Sequence, residues 1–108
     1  MGKKIRSFTQ EIVRIFQPRK VVLFGSHAQG KATADSDVDL LVLMNFRGTA
    51  AEQALAMRRA VPRDFPLDLI LRTPREAQRR LKQGDSFLRS ALKAGKVLYD
   101  EKRGPGMD

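Results

Sequence analysis

The chain alternates between segments with helical spacing and short apolar runs. Ile5, Phe8, Ile12, Ile15 and Phe16 recur every three or four residues, which predicts an amphipathic helix ending before Pro18. Residues 21–24 form a wholly apolar run, broken by Gly25-Ser26, and predict a buried strand. Ser26 is positioned to cap a short helix that Gly30 ends, and residues 31–36 read as a polar loop. A second strand is predicted over residues 38–44. Strand alternation puts Val38, Leu40, Val42 and Met44 on one face and Asp37, Asp39, Leu41 and Leu43 on the other. Residues 50–61 predict a helix with Ala54, Met57 and Val61 turned inward. Residues 67–71, LDLIL, predict a third strand with Asp68 inside it.

Thr73-Pro74-Arg75-Glu76 has the form of a helix start: a threonine cap, proline at the first position and glutamate at the third. A basic helix follows to about Gln83. Gly84-Asp85 separates it from a helix carrying Phe87, Leu88, Ala91 and Leu92, which Gly95 stops. Residues 96–99 predict a brief edge strand, and residues 101–108 a flexible C-terminal tail after a single domain over residues 1–100. The alternation of elements predicts an α/β or α+β fold: a small mixed sheet flanked by helices. It does not fix the strand order.

Composition narrows the functional classes. The 108 residues suit one domain with one modest core, and 42% of them are hydrophobic. No apolar run is long enough to span a bilayer, and MGKKIRSFTQ has no apolar signal-peptide core, so a cytoplasmic protein without membrane contact is expected. Cysteine is absent, which excludes disulfides and thiolate metal sites. The net charge of +9 raises nucleic-acid binding as a role. Against that role, the Lys and Arg residues are scattered, and one Tyr and six Phe, mostly in apolar patterns, make no visible platform for stacking bases.

The chemistry concentrates in VVLFGSHAQGKATADSDVDLLVLM, where ten residues separate Gly25-Ser26 from Asp37-Val38-Asp39. Two carboxylates at i and i+2 of a strand stand side by side and repel unless a cation joins them. Clustered hard oxygens suit Mg²⁺, which keeps part of its shell for water and substrate phosphate. A lone Asp68 within an apolar strand needs either solvent or a partner. Joined to Asp37 and Asp39 it completes a three-carboxylate set for two Mg²⁺ ions and phosphoryl or nucleotidyl transfer. Asp37 and Asp39 would then hold the triphosphate-bound metal, and Asp68 the metal nearer the attacking hydroxyl. Gly25 lets the backbone approach phosphate, and Ser26 offers its hydroxyl and amide. His27, the only histidine, reads as exposed or structural rather than catalytic.

These residues resemble the signature of the DNA polymerase β-like nucleotidyltransferase superfamily: GS, a ten-residue spacer, then DxD, with a later Asp in an apolar strand. The ending SFLRSALKAGKVLYD resembles its minimal nucleotidyltransferase branch. The resemblance implies nucleotide binding at Gly25 and Ser26 and a metal and catalytic set of Asp37, Asp39 and Asp68. It further implies ATP as substrate and an antitoxin role. In that role AMP is transferred to a tyrosine of a small helical HEPN partner encoded nearby. His27 and Gln29 stand where the family often carries arginine, a departure that bears on substrate affinity and not on metal binding. A non-catalytic antitoxin acting by contact, or a basic nucleic-acid binder, are the alternative functions.

Overall fold

A computed structural model describes residues 1–105. The elements are α1 (Gly2–Phe16), β1 (Lys20–Phe24), α2 (Ser26–Gln29), β2 (Val38–Leu43), α3 (Ala50–Ala60), β3 (Leu67–Arg72), α4 (Pro74–Lys82), α5 (Ser86–Ala94), β4 (Lys96–Asp100) and β5 (Gly104–Pro105). The strands form one sheet in the order β3-β2-β1-β4-β5. β1 runs antiparallel to β2 and β4, β2 runs parallel to β3, and β4 runs antiparallel to β5. The sheet is therefore mixed, and the fold is α+β as the sequence predicts.

Helices cover both faces. On one face, Ile5, Phe8 and Ile12 of α1 and Met57 of α3 pack on Val21, Leu23, Val38, Leu40, Val42 and the odd-numbered leucines of β3. Phe8 meets Phe65 edge to face with ring centres 5.9 Å apart. On the other face, Ala77 of α4 and Leu88 and Ala91 of α5 cover Val22 and Leu41, with Phe24, Leu43 and Ile70 at the margin. The alternation read from β2 is thus the alternation between two cores. The predicted α1 stripe holds except at Ile15, which points away from the sheet and stays 41% exposed.

The local signals act where the sequence places them, with instructive exceptions. The Thr73 hydroxyl accepts from the Glu76 amide at 3.1 Å and Pro74 opens α4. The Asp85 carboxylate accepts from the Leu88 amide at 2.9 Å and caps α5. Gln17, with φ 50°, makes the left-handed turn that ends α1 before Pro18. Ser26 is not the cap of α2 but its first residue; Gly25 is the cap. β4 is not an edge strand, because the residues after it turn back and β5 pairs with its end. The last part of the expected tail, residues 106–108, lies outside the described residues.

Gly95 ends α5 for a steric reason. Its φ is −75°, which any residue adopts. A Cβ there would collide with the Ala91 carbonyl oxygen and lie 2.7 Å from both the Leu23 carbonyl oxygen and the Val22 Cγ1. Two of those neighbours are backbone and cannot move aside cheaply. Gly95→Ala is expected to destabilise the fold by about 1–3 kcal/mol, the usual cost of overpacking. A lowered urea midpoint with unchanged slope is the measurement.

Candidate active site

One row across the sheet builds the site. Register pairs Phe24 of β1 with Asp39 of β2, and Asp39 with Asp68 of β3. Neighbouring strands lie about 4.7–4.9 Å apart, so paired side chains on one face are immediate neighbours. Asp39 and Asp68 share the face of Leu41 and Ile70, the face that α4 and α5 cover further along the strands. Asp37 precedes β2 directly and is exposed, as is Asp68; Asp39 is half-buried. The parallel pairing thus brings Asp68 to Asp39 from almost thirty residues away, where sequence spacing alone could not put it.

Electrostatics link the three acids. Burial pushes the Asp39 carboxyl above its ordinary value, and the charges of Asp68 and then Asp37 push it the same way, while His27 opposes them. An acid disfavoured by its acidic neighbours calls for a cation. The donor set, all carboxylate oxygen, fits a hard divalent ion in its chemistry. Among the described residues, however, no group of three or more His, Cys, Asp or Glu side chains is already gathered tightly enough to hold one. Asp39 and Asp68 are set by register, whereas Asp37 sits at the mouth of the 31–36 loop.

Gly25 explains how Asp39 fits. Its φ of 75° and ψ of −156° lie where glycine alone is comfortable. An added Cβ would collide with Oδ2 of Asp39 and come 3.2 Å from its Cγ. The missing side chain is therefore the space the carboxylate occupies. The Gly25 carbonyl accepts from the amides of Ala28 and Gln29 at 3.1 and 3.2 Å, which folds α2 back beside β1. Ser26 opens that helix and is half-buried. His27 is half-buried; its Nε2 donates to the Ser36 carbonyl at 3.3 Å, tying α2 to the loop before Asp37. That is a positioning contact, in line with the structural role read from the sequence.

Sequence reasoning missed two features. The first is the direct packing of Gly25 on Asp39. The second is a groove of about 180 Å³ beside Gly25, lined by Phe24, Ala28, Gln29, Phe87 and Ser90. Phe24 stands next to the Gly-Ser turn, which was the available signal. A larger cleft, about 560 Å³, opens near Ile5, Leu23 and Lys96 on the α1 side, and neither Gly25 nor any of the three acids lines it.

Comparison with known proteins gives the family and the fold. The nucleotidyltransferase domain family matches residues 3–103, and this chain belongs to that family. The fold is that of the crystal structure of a "putative nucleotidyltransferase from Sulfolobus solfataricus", at a TM-score of 0.70 and 19% identity, covering 100% of this chain and 87% of that one. None of the curated protein sequences matches the chain.

Two measurements probe the site without substrate. Gly25→Ala is expected to cost roughly 1–3 kcal/mol from backbone strain and collision. Part of that cost should vanish in an Asp39→Ala background, giving a coupling of at least about 0.5 kcal/mol in a double-mutant cycle. The raised Asp39 pKa sets a sign for pH. The folded state holds this proton more tightly than the unfolded chain, so the group's contribution is best below the ordinary carboxylate pKa. It declines as pH rises through the raised value. In metal-free buffer Asp39→Asn should therefore melt above the wild type at neutral pH, with the gain gone below about pH 4.

Proposed function

We propose that this protein is a divalent-cation-dependent nucleotidyltransferase that moves AMP from ATP to a protein acceptor. The acceptor is a tyrosine hydroxyl of a small helical HEPN-type partner encoded nearby, toward which the enzyme acts as antitoxin. Family membership supports nucleotidyl transfer. The observation that carries the reading is the Asp39–Asp68 pairing beside Gly25. A protein that only binds a partner gains nothing from holding two carboxylates side by side against their mutual repulsion.

The acceptor oxygen attacks the α-phosphorus; a new P–O bond forms, the bond to the β-phosphate oxygen breaks, and pyrophosphate leaves. The hydroxyl proton passes to a base, a role that Asp68, exposed at the sheet edge, would take. Asp37 and Asp39 would hold the cation that accompanies the triphosphate, and Asp68 would share a second. Such cations supply charge neutralisation at the transferring phosphoryl group. Gly25 and Ser26 would present to the phosphates the start of α2, whose first amides have no partner within the helix.

The test is label transfer. Incubation with α-labelled ATP, Mg²⁺ and the neighbouring gene's product should label that partner, whereas γ-labelled ATP should not. Asp37→Asn and Asp39→Asn should each lower the rate by more than about 100-fold, since even groups behind metal ligands are worth 10–100-fold. Absence of label from every nucleoside triphosphate, with Mg²⁺ or Mn²⁺, would overturn the reading.

A further inference from the structure

The row Phe24–Asp39–Asp68 has an apolar end as well as an acidic one. Phe24 lies on the same face as the acids, next to Gly25 and across from Asp39. Phe87, from the first turn of α5, meets it edge to face, with ring centres 5.2 Å apart and planes at 81°. That contact leaves Phe87 41% exposed, although Leu88 beside it is fully buried. Burying Leu88 and Ala91 fixes the rotation of α5 and leaves Phe87 over the Gly25 turn rather than in the core. A single exposed phenylalanine is ordinary. One that builds a concave shelf beside a phosphate-binding turn is a ligand feature.

The groove under this shelf holds about 180 Å³, which at about 30 Å³ per water is room for some six waters. It is smaller than the ~300–1,000 Å³ that whole ligands occupy, so it takes one part of a ligand rather than all of it. Aromatic side chains flank it, and Gln29 and Ser90 add hydrogen-bonding groups at its rim. Aromatic shelf, polar rim and limited depth together suit a planar heteroaromatic ring. The carboxylates that would hold the phosphates begin one strand away.

We propose that the groove between α2 and α5 is the nucleobase subsite, with the base stacked on Phe87 and its edge met by Gln29 and Ser90. The proposal rests on the nucleotidyltransferase reading above and adds which part of the substrate goes where. It gives Phe87 a specificity role that the acids and the Gly-Ser turn do not have. The phosphates are held at one end of the row whatever the base; the stacking surface at the other end tells a nucleotide from a bare polyphosphate. Stacking alone favours a purine over the smaller pyrimidine and does not choose between purines. Gln29, with both a donor and an acceptor, is placed to make that choice.

The experiment is calorimetric titration with two probes, Mg-ATP and Mg-tripolyphosphate, against wild type, Phe87→Ala and Phe87→Tyr. Wild type should bind ATP more tightly than tripolyphosphate. Phe87→Ala should lose that advantage, weakening ATP binding about tenfold or more while leaving tripolyphosphate unchanged. Phe87→Tyr keeps a stacking ring and should restore ATP binding. A melting curve for each variant verifies folding, which the exposure of Phe87 protects. Equal ATP binding by Phe87→Ala and wild type would overturn the subsite, as would equal loss of both probes. So would a wild type that binds tripolyphosphate and ATP alike, with the nucleotidyltransferase reading left standing. Failure of both probes to bind the wild type would overturn the two together.

Discussion

Everything at the site depends on the parallel register of β2 and β3. Because side chains alternate along a strand, a slip of one residue would turn Asp39 or Asp68 into the α1-side core. The apolar partners forbid it. Leu40 pairs with Leu69 toward α1 and α3, and Leu41 pairs with Ile70 toward α4 and α5. Both faces of β2 are thus committed to burial, and the acids are held together by the packing of their neighbours rather than by attraction. The core does the mechanical work of keeping like charges adjacent.

Much of this was legible in the chain. The two faces of β2, the Thr73–Glu76 start of α4, and the Gly-Ser turn before the DxD pair are local signals. They act through backbone geometry within a few residues, so they survive into the structure. What the local pattern left open is non-local. The adjacency of Asp68 and Asp39 comes from a parallel pairing made through the α3 crossover. The local pattern alone also allowed Asp68 to be a solvent-facing residue of an edge strand, and β3 is indeed an edge with Asp68 exposed. The need for glycine at 25 has two parts: the turn was readable, but the carboxylate filling its side-chain space was not. At Gly95 the helix stop was foreseen, but not that the backbone crosses too closely there for any Cβ.

The charge distribution resolves the tension between an acidic site and a chain of net charge +9. Part of the basic excess is consumed locally. Glu76 lies 3.4–3.8 Å from Arg72, Arg79 and Arg80, and Asp85 lies 3.6 Å from Arg80. Arg79 is exposed and the other four residues are half-buried, and at these separations each pair is a weak contact. Their effect is to order the α4 surface. The remaining positive field favours the approach of a polyanion, while Asp39 and Asp68 concentrate negative charge at one point on the sheet.

The two helical layers differ in what they bury. α1 and α3 contribute Ile5, Phe8, Ile12 and Met57, whereas α4 and α5 seal their side with Ala77, Leu88 and Ala91. Local opening follows the density of apolar contact. The α4–α5 layer is therefore expected to exchange its amide hydrogens before the α1 layer. The molecule thus has a densely packed back and a thinner front, a division that leaves the alignment of the strands to the back.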